Sequence, residues 1–266
     1  ASATDNGDGG KVVLWSDVHN ASSITTVHGT IYANAGVNGG NGGQIETSGH
    51  LLTLDEVRVS ANSSQGQFGF WLIDPYDIAI ADTASGTAFS PSGTGYNYIS
   101  GTSSYIRATD IASALASANI TIQTGSGGTG YGDILLNSPI SYSGANTTTL
   151  TLRAARNVYL NESISSSNGV LNVDVTSSYG TTTTADEIRV GNNITTKGGY
   201  VKFTGEYVIF QGVNGQTIST EKTTGTGGDL TINGSTLLAV SNAGAGANLV
   251  VNTGGGAVTF NGTVDS

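Results

Sequence analysis

Gly9-Gly10-Lys11-Val12-Val13-Leu14-Trp15-Ser16-Asp17 opens the segment that decides how this chain folds. Three pieces follow it: Gly29-Thr30-Ile31-Tyr32-Ala33, Gly42-Gly43-Gln44-Ile45-Glu46-Thr47-Ser48-Gly49-His50 and Trp71-Leu72-Ile73-Asp74-Pro75. Each is a short apolar or alternating run approached through glycine, and the gaps between them leave no room for helices. A chain written this way winds in coils around one axis. The pattern continues in Gly132-Asp133-Ile134-Leu135-Leu136, Gly199-Tyr200-Val201-Lys202-Phe203, Gly228-Asp229-Leu230-Thr231-Ile232 and Gly256-Ala257-Val258-Thr259-Phe260. Most runs alternate apolar with polar, the period of a strand with one buried face. Gly, Asn, Ser and Asp fill the gaps and turn the chain sharply.

Strands this short suit two architectures. One is an antiparallel sandwich or barrel, with hairpins every 8–12 residues or so, roughly. The other is a parallel β-helix, where each coil stacks on the last and buries its inward side chains in a continuous column. Three features favour the β-helix. Branched residues recur at equivalent strand positions, giving an expected inward column of Val13, Ile31, Ile45, Ile134, Leu152, Val173, Ile188, Val201, Ile232 and Val250. Asn follows strands at Asn137, Asn161, Asn233 and Asn252, where it would form turns and ladders between coils. The pattern runs from end to end without a linker-like shift in composition, so residues 1–266 read as one solenoid domain. At about 20–25 residues per coil, roughly eleven to thirteen coils would build a rod about 55 Å long.

Forty glycines against three prolines exclude collagen and a proline-rich linker. Hydrophobic content of 37% is enough for a core, while only 11% of residues are charged, which leaves the surface to Ser, Thr and Asn. Such surfaces suit extracellular repeat proteins. The net charge of −10 excludes nucleic acid as a partner, because phosphate contacts demand lysine and arginine that are not here. No apolar run reaches the roughly 18–20 residues of a membrane span, so membrane insertion is not expected. Cysteine is absent, which removes disulfides and thiolate metal sites and suits a chain kept unfolded through export. Without a starting methionine or a signal peptide, the chain reads as a fragment or a processed product.

One segment departs from the strand pattern. Thr83 to Ser104 is rich in Ser, Gly, Thr and Tyr, and it leads into Thr109-Asp110-Ile111-Ala112-Ser113-Ala114-Leu115-Ala116-Ser117-Ala118-Asn119. Ile111, Leu115 and Ala118 share one helical face, with Thr109 placed to cap the start and Asn119 the end. Residues 83–119 are therefore expected to form an excursion from the rod, a polar loop followed by a short helix.

The opening pieces resemble, in their order, the passenger region of filamentous-haemagglutinin-like exoproteins, the adhesins exported by two-partner secretion. That family carries Gly-Gly-x-Val-x-x-Trp, Gly-x-Ile-x-Ala, Gly-Gly-x-x-Glu-x-Ser-Gly and a Leu-Leu-x-Asp-Pro turn. Here these positions are Gly9, Gly10, Val12 and Trp15; Gly29, Ile31 and Ala33; Gly42, Gly43, Glu46, Ser48 and Gly49; and Leu72, Ile73, Asp74 and Pro75. The detailed likeness covers residues 5–165. It implies an all-β, right-handed parallel β-helix, secreted through a dedicated outer-membrane transporter and displayed at the bacterial cell surface or released. The family's Asn-Pro-Asn secretion motif does not occur, so the resemblance points to an internal or distal portion of a longer exoprotein.

Side chains with chemical potential are few. Asp5-Asn6-Gly7-Asp8-Gly9 has the alternating oxygens of a calcium loop but lacks the distal bidentate glutamate, and the simpler reading is an acidic turn. His19, His28 and His50 have no metal-ligand spacing, and no Gly-x-Ser-x-Gly elbow occurs. No metal, cofactor or catalytic residue is assigned. Parallel β-helices that cleave polysaccharides need clustered carboxylates, for which Asp55-Glu56, Asp74 with Asp77, and Asp186-Glu187 are the candidates. Asn-x-Ser/Thr sequons stand at Asn20, Asn62, Asn119, Asn146, Asn161, Asn193, Asn233 and Asn261, as chance also produces in so Asn-, Ser- and Thr-rich a chain. Tyr96, Tyr98 and Tyr105, with Phe89, cluster in the polar excursion, where they would either stack on sugar rings or pin the loop to the rod.

Two function classes follow. The first is a non-enzymatic adhesin segment that attaches cells to host or matrix glycans, surface proteins or a biofilm exopolysaccharide, with Tyr96, Tyr98 and Tyr105 as its expected ligand-binding residues. The second is a polysaccharide lyase or glycoside hydrolase. The first is preferred, since no convergent acid/base pair is legible.

Overall fold

Val12, Ile45, Trp71, Ile120, Leu150, Val173, Val201, Leu230 and Val258 stand one above the next across nine parallel strands. Two residues further along each strand, a second column runs Leu14, Thr47, Ile73, Ile122, Leu152, Val175, Phe203, Ile232 and Phe260. The alternating pattern thus puts one side of every strand into a shared core, which is the construction of a parallel β-helix. The computed structural model describes residues 1–82, 104–125, 132–178, 186–211, 215–238 and 248–265. Every pairing between its named strands is parallel, which rules out the antiparallel sandwich.

A second face carries the columns Ile78, Ile134, Val158, Ile188, Val208 and Ile80, Leu136, Leu160, Val190, Phe210. A third carries Ile140, Ile164, Ile194, Ile218 and Val251. Coils are longer and fewer than their motifs suggest: Leu150, Val173, Val201, Leu230 and Val258 follow one another at intervals of 23 to 29 residues. The third face and the corners take up the difference.

Eight of the ten expected column residues are buried, and two are not: Val13 is 44% and Val250 54% exposed. Val12 and Val251 hold the inward positions in those strands. A pair of adjacent valines hides the phase of the alternation, and a slip of one residue moves a side chain to the opposite face. A polar residue also enters the core. Thr47 lies between Leu14 and Ile73, and its Oγ1 accepts the Trp71 indole N–H at 3.0 Å, so the buried indole is satisfied without water.

Glycine precedes the strands because adjacent coils meet there backbone to backbone. A Cβ at Gly43 would lie 2.1 Å from the Gly10 carbonyl oxygen, and one at Gly69 only 1.9 Å from that of Gly43. The same turns are closed by Gly10 N–H on the Ala1 carbonyl, Gly43 N–H on that of Ala33, and Gly69 N–H on that of Ala61. The expected asparagine ladders form between coils as well. Asn161 donates its amide to Asn137 at 2.8 Å, and Asn261 donates to Asn233 at 2.8 Å.

The expected excursion at 83–119 is described only from Ser104 onward. Residues 83–103 lie outside the described residues, but from Ser104 onward the chain belongs to the rod. Ser104–Ile106 is a strand placed between Leu51–Ser60 and Ile78–Ile80, out of sequence order. The chain therefore climbs a level between Phe70–Pro75 and Ile78–Ile80, and a later strand fills the level left behind. The helix Ala108–Ala114 then packs against Leu51–Ser60 and Ile140–Tyr142. Ile111 within it, Leu115 at its C-cap and Ala118 beyond it are all fully buried. The caps differ from expectation: Arg107 precedes the helix without a side-chain cap, Thr109 lies inside it, and Asn119 begins the next strand. Ala118 rejoins the coil path, since Ala61 N–H bonds the Ser117 carbonyl as Ala33 N–H bonds that of Ser60. Among the described residues no helix is long and apolar enough to cross a membrane.

Candidate functional site

Tyr96, Tyr98 and Phe89 lie outside the described residues. Tyr105 sits in the out-of-order strand between Thr53 and Ala79 and is 7% exposed. Burial, and then the nearby Asp55 carboxylate, push its hydroxyl pKa upward. A ring enclosed this way pins the inserted strand and is not offered to a ligand from solvent.

Most of the candidate acids are spent on joining coils. Asp5 accepts the Asn38 side-chain amide, and Asp8 accepts the Asn41 backbone N–H at 2.7 Å, so the calcium-like turn is tied to the coil above it. Asp77 accepts the Asp133 N–H at 2.9 Å. Asp133 itself is paired with Arg156 and caps the N–H of Asn157 at 3.1 Å. Asp186 accepts from Ser178 Oγ at 2.9 Å, while Glu187 pairs with Arg189, whose guanidinium lies 5.9 Å from the Tyr159 ring. Glu56 pairs with Arg107 at 3.5 Å. His28 and His50 each place Nδ1 on a backbone carbonyl, those of Asp55 and Val18, and His50 stacks on Tyr76. Among the described residues no group of three or more His, Asp or Glu is arranged to hold a metal ion.

One cluster is left, and three of the opening motifs build it. Trp15, Ser48 and Asp74 occupy a single register row on the outer side of the first face, and Glu46 lies two residues before Ser48 on the same side. Trp15 keeps 62% of its surface exposed. Ser48 is fully buried and donates to Glu46 Oε1 at 3.1 Å, which holds that carboxylate in place. The corner loop beyond Trp15 is fastened by Ser16 N–H on the Ser48 carbonyl at 3.1 Å and by the Ser16–Thr25 hydroxyl pair at 2.7 Å. Burial, followed by repulsion from Glu46, pushes Asp74 up to about 6, with His19 partly offsetting the rise. The cluster therefore combines an exposed indole with two carboxyl groups, those of Glu46 and Asp74, a set suited to stacking on a pyranose ring and accepting hydrogen bonds from its hydroxyls.

Glu46, Ser48 and Asp74 stand out in the sequence as motif positions but not as neighbours, because 33 residues separate Lys11 from Gln44 in register and a turn-forming role for Asp74-Pro75 accounts for the aspartate on its own. Aligning the strands by parity would have revealed the row. No family model matches the chain, and no curated protein matches it.

The elevated Asp74 carboxyl makes a prediction about stability. A folded pKa of about 6, against an ordinary 3.8, means that the favourable neutral form is present at low pH and lost as pH rises through 6. Asp74→Asn cannot ionise. It should melt above the parent at pH 7.5, with the gap closing as pH falls and disappearing below about pH 4, in melts followed by circular dichroism. A constant gap across that range would mean that Glu46 and the surrounding burial do not act on Asp74.

Proposed function

We propose that this chain is a segment of a secreted or surface-displayed bacterial adhesin that binds glycans without cleaving them, through Trp15, Glu46 and Asp74, with the buried Ser48 holding Glu46 in place. The observation that carries this reading is the exposed Trp15 indole in register with the Asp74 carboxylate. The rod supports it further: the outward row that holds Glu46 runs on through Leu72, Thr121, Thr151, Asp174, Lys202, Thr231 and Thr259, where Asp174 and Lys202 pair at 3.8 Å and the threonines add hydroxyls. Export of the full-length protein through an outer-membrane transporter, and attachment to host glycans or a matrix exopolysaccharide, belong to the same proposal and rest on the family resemblance.

The test is a glycan array on the intact chain and on Trp15→Ala. Loss of the stacking surface should weaken binding about tenfold or more, equivalent to about 1.4 kcal/mol. Melting should shift little, because truncating an exposed side chain changes stability by less than about 0.5 kcal/mol. Parent-like binding by Trp15→Ala would remove this site from the proposal.

A second reading has one observation in its favour. Asp74, raised to about 6 by burial and then by the neighbouring Glu46, has the environment of a general acid beside a second carboxyl group, as polysaccharide cleavage requires. Release of reducing ends or unsaturated products from neutral or acidic polysaccharides, abolished by Glu46→Gln and Asp74→Asn, would replace the adhesin reading with this one.

A further inference from the structure

We infer that Phe70 is a second stacking platform of the glycan site, which therefore takes an oligosaccharide of equatorially substituted pyranose rings and not a single sugar. The inference rests on the reading of Trp15, Glu46 and Asp74 as that site. Phe70 opens the strand Phe70–Pro75, which is paired on both sides, with Gln44–Gly49 and with Asn119–Gln123. It thus stands in an internal coil, and it still keeps 41% of its surface exposed. The period of two puts Trp71 and Ile73 into the core and turns Phe70, Leu72 and Asp74 outward. Leu72, partly exposed two residues on, extends the apolar surface from Phe70 toward the Asp74 carboxyl.

The register supplies the polar partners. Gln44 and Asn119 flank Phe70, Glu46 and Thr121 flank Leu72, and Ser48 stands beside Asp74. Asn119 is occupied, since it accepts the Thr149 N–H at 3.0 Å. Gln44 is exposed and Thr121 partly so, and neither side chain is used to join coils among the described residues. A pyranose with equatorial substituents presents C–H groups on its flat faces and hydroxyls around its rim. Such a ring can lie on Phe70 while its rim reaches the Gln44 amide and the Thr121 hydroxyl. Trp15, Glu46 and Phe70 then fall on one diagonal of the outer surface, because Trp15 is level with Ser48 and Phe70 with Gln44. Two coils and four residues separate the indole from the phenyl position, which at about 4.8 Å per coil and 3.3 Å per residue is about 16 Å. One ring cannot touch both platforms. A chain of about three or more can, with a middle ring at the Glu46 carboxylate.

Isothermal titration calorimetry of the intact chain with β-linked oligomers of glucose and of N-acetylglucosamine tests this. Affinity should rise about tenfold or more from one unit to about four. Phe70→Ala should lose that rise while keeping the parent's weak binding of the single sugar, and Phe70→Trp should retain it. The readout is a ratio of affinities within one variant, so it does not depend on the fraction folded. Tyr200→Ala is the control. Tyr200 precedes Val201 as Phe70 precedes Trp71, four coils away, and is 38% exposed, but Lys202 beyond it is paired with Asp174. That variant should bind as the parent does. Affinity that does not grow with length, or a Phe70→Ala chain that keeps the whole rise, overturns the inference and leaves the Trp15 site standing. A parent that binds neither series also overturns it, and a blank glycan array besides would remove the reading of the site itself.

Discussion

Val173→Asp is expected to cost more than about 4 kcal/mol and to unfold the middle of the rod at room temperature. Val173 is fully buried, with Leu150 and Val201 in the coils on either side. The substitution removes roughly 2 kcal/mol of apolar burial and places an unpaired carboxylate in a column that offers no cation. In a solenoid each coil touches only its neighbours, so the damage should split the rod into two separately melting parts. Urea or thermal denaturation followed by circular dichroism measures this. Thr231→Asp is the matched control. It adds the same charge to the outer side of the same face, in register with Lys202, and should change stability by less than about 0.5 kcal/mol. Equal losses in the two variants would mean that the inner and outer sides of this sheet are not distinguished.

Gly228→Ala is expected to be the next most damaging change, at about 3 kcal/mol, for a steric reason alone. The new methyl would lie 2.3 Å from the Gly199 carbonyl oxygen, 2.4 Å from its carbon and 2.6 Å from the Tyr200 nitrogen. All three are backbone atoms, so no side chain can rotate away. The coils must separate at that corner, which strains the hydrogen bonds on both sides. Gly225→Ala separates crowding from conformation. Gly225 has φ +90°, yet nothing approaches its missing Cβ within 4 Å. It should cost about 1 kcal/mol, from backbone strain only. If the two alanines prove equally harmful, the close approach of coils is not what demands glycine at Gly228.

The two kinds of column residue show how far local pattern reaches. Leu152, Val173 and Ile232 sit in alternating runs, and their inward direction follows from period two alone. Val12-Val13 and Val250-Val251 are equally apolar at both positions, so only contact with Ile45 and Ile218 settles which one turns inward. The helix behaves similarly. Ile111, Leu115 and Ala118 reveal its buried face, yet nothing near them in sequence announces that Ser104–Ile106 will enter the sheet between two earlier strands.

The sequence by itself determined the all-β character, the single axis of winding, the glycine turns and the asparagine ladders. Each of these is written in neighbouring residues: alternation places a side chain, and a glycine admits a backbone. Only the tertiary structure decided the level of each strand, the burial of Tyr105, and the meeting of Trp15, Ser48 and Asp74 in one row. Those depend on how many residues the corners and the third face consume between one coil and the next. That length sets the register between strands tens of residues apart, and only the stacked coils, by pairing hydrogen bonds and filling the core together, select it.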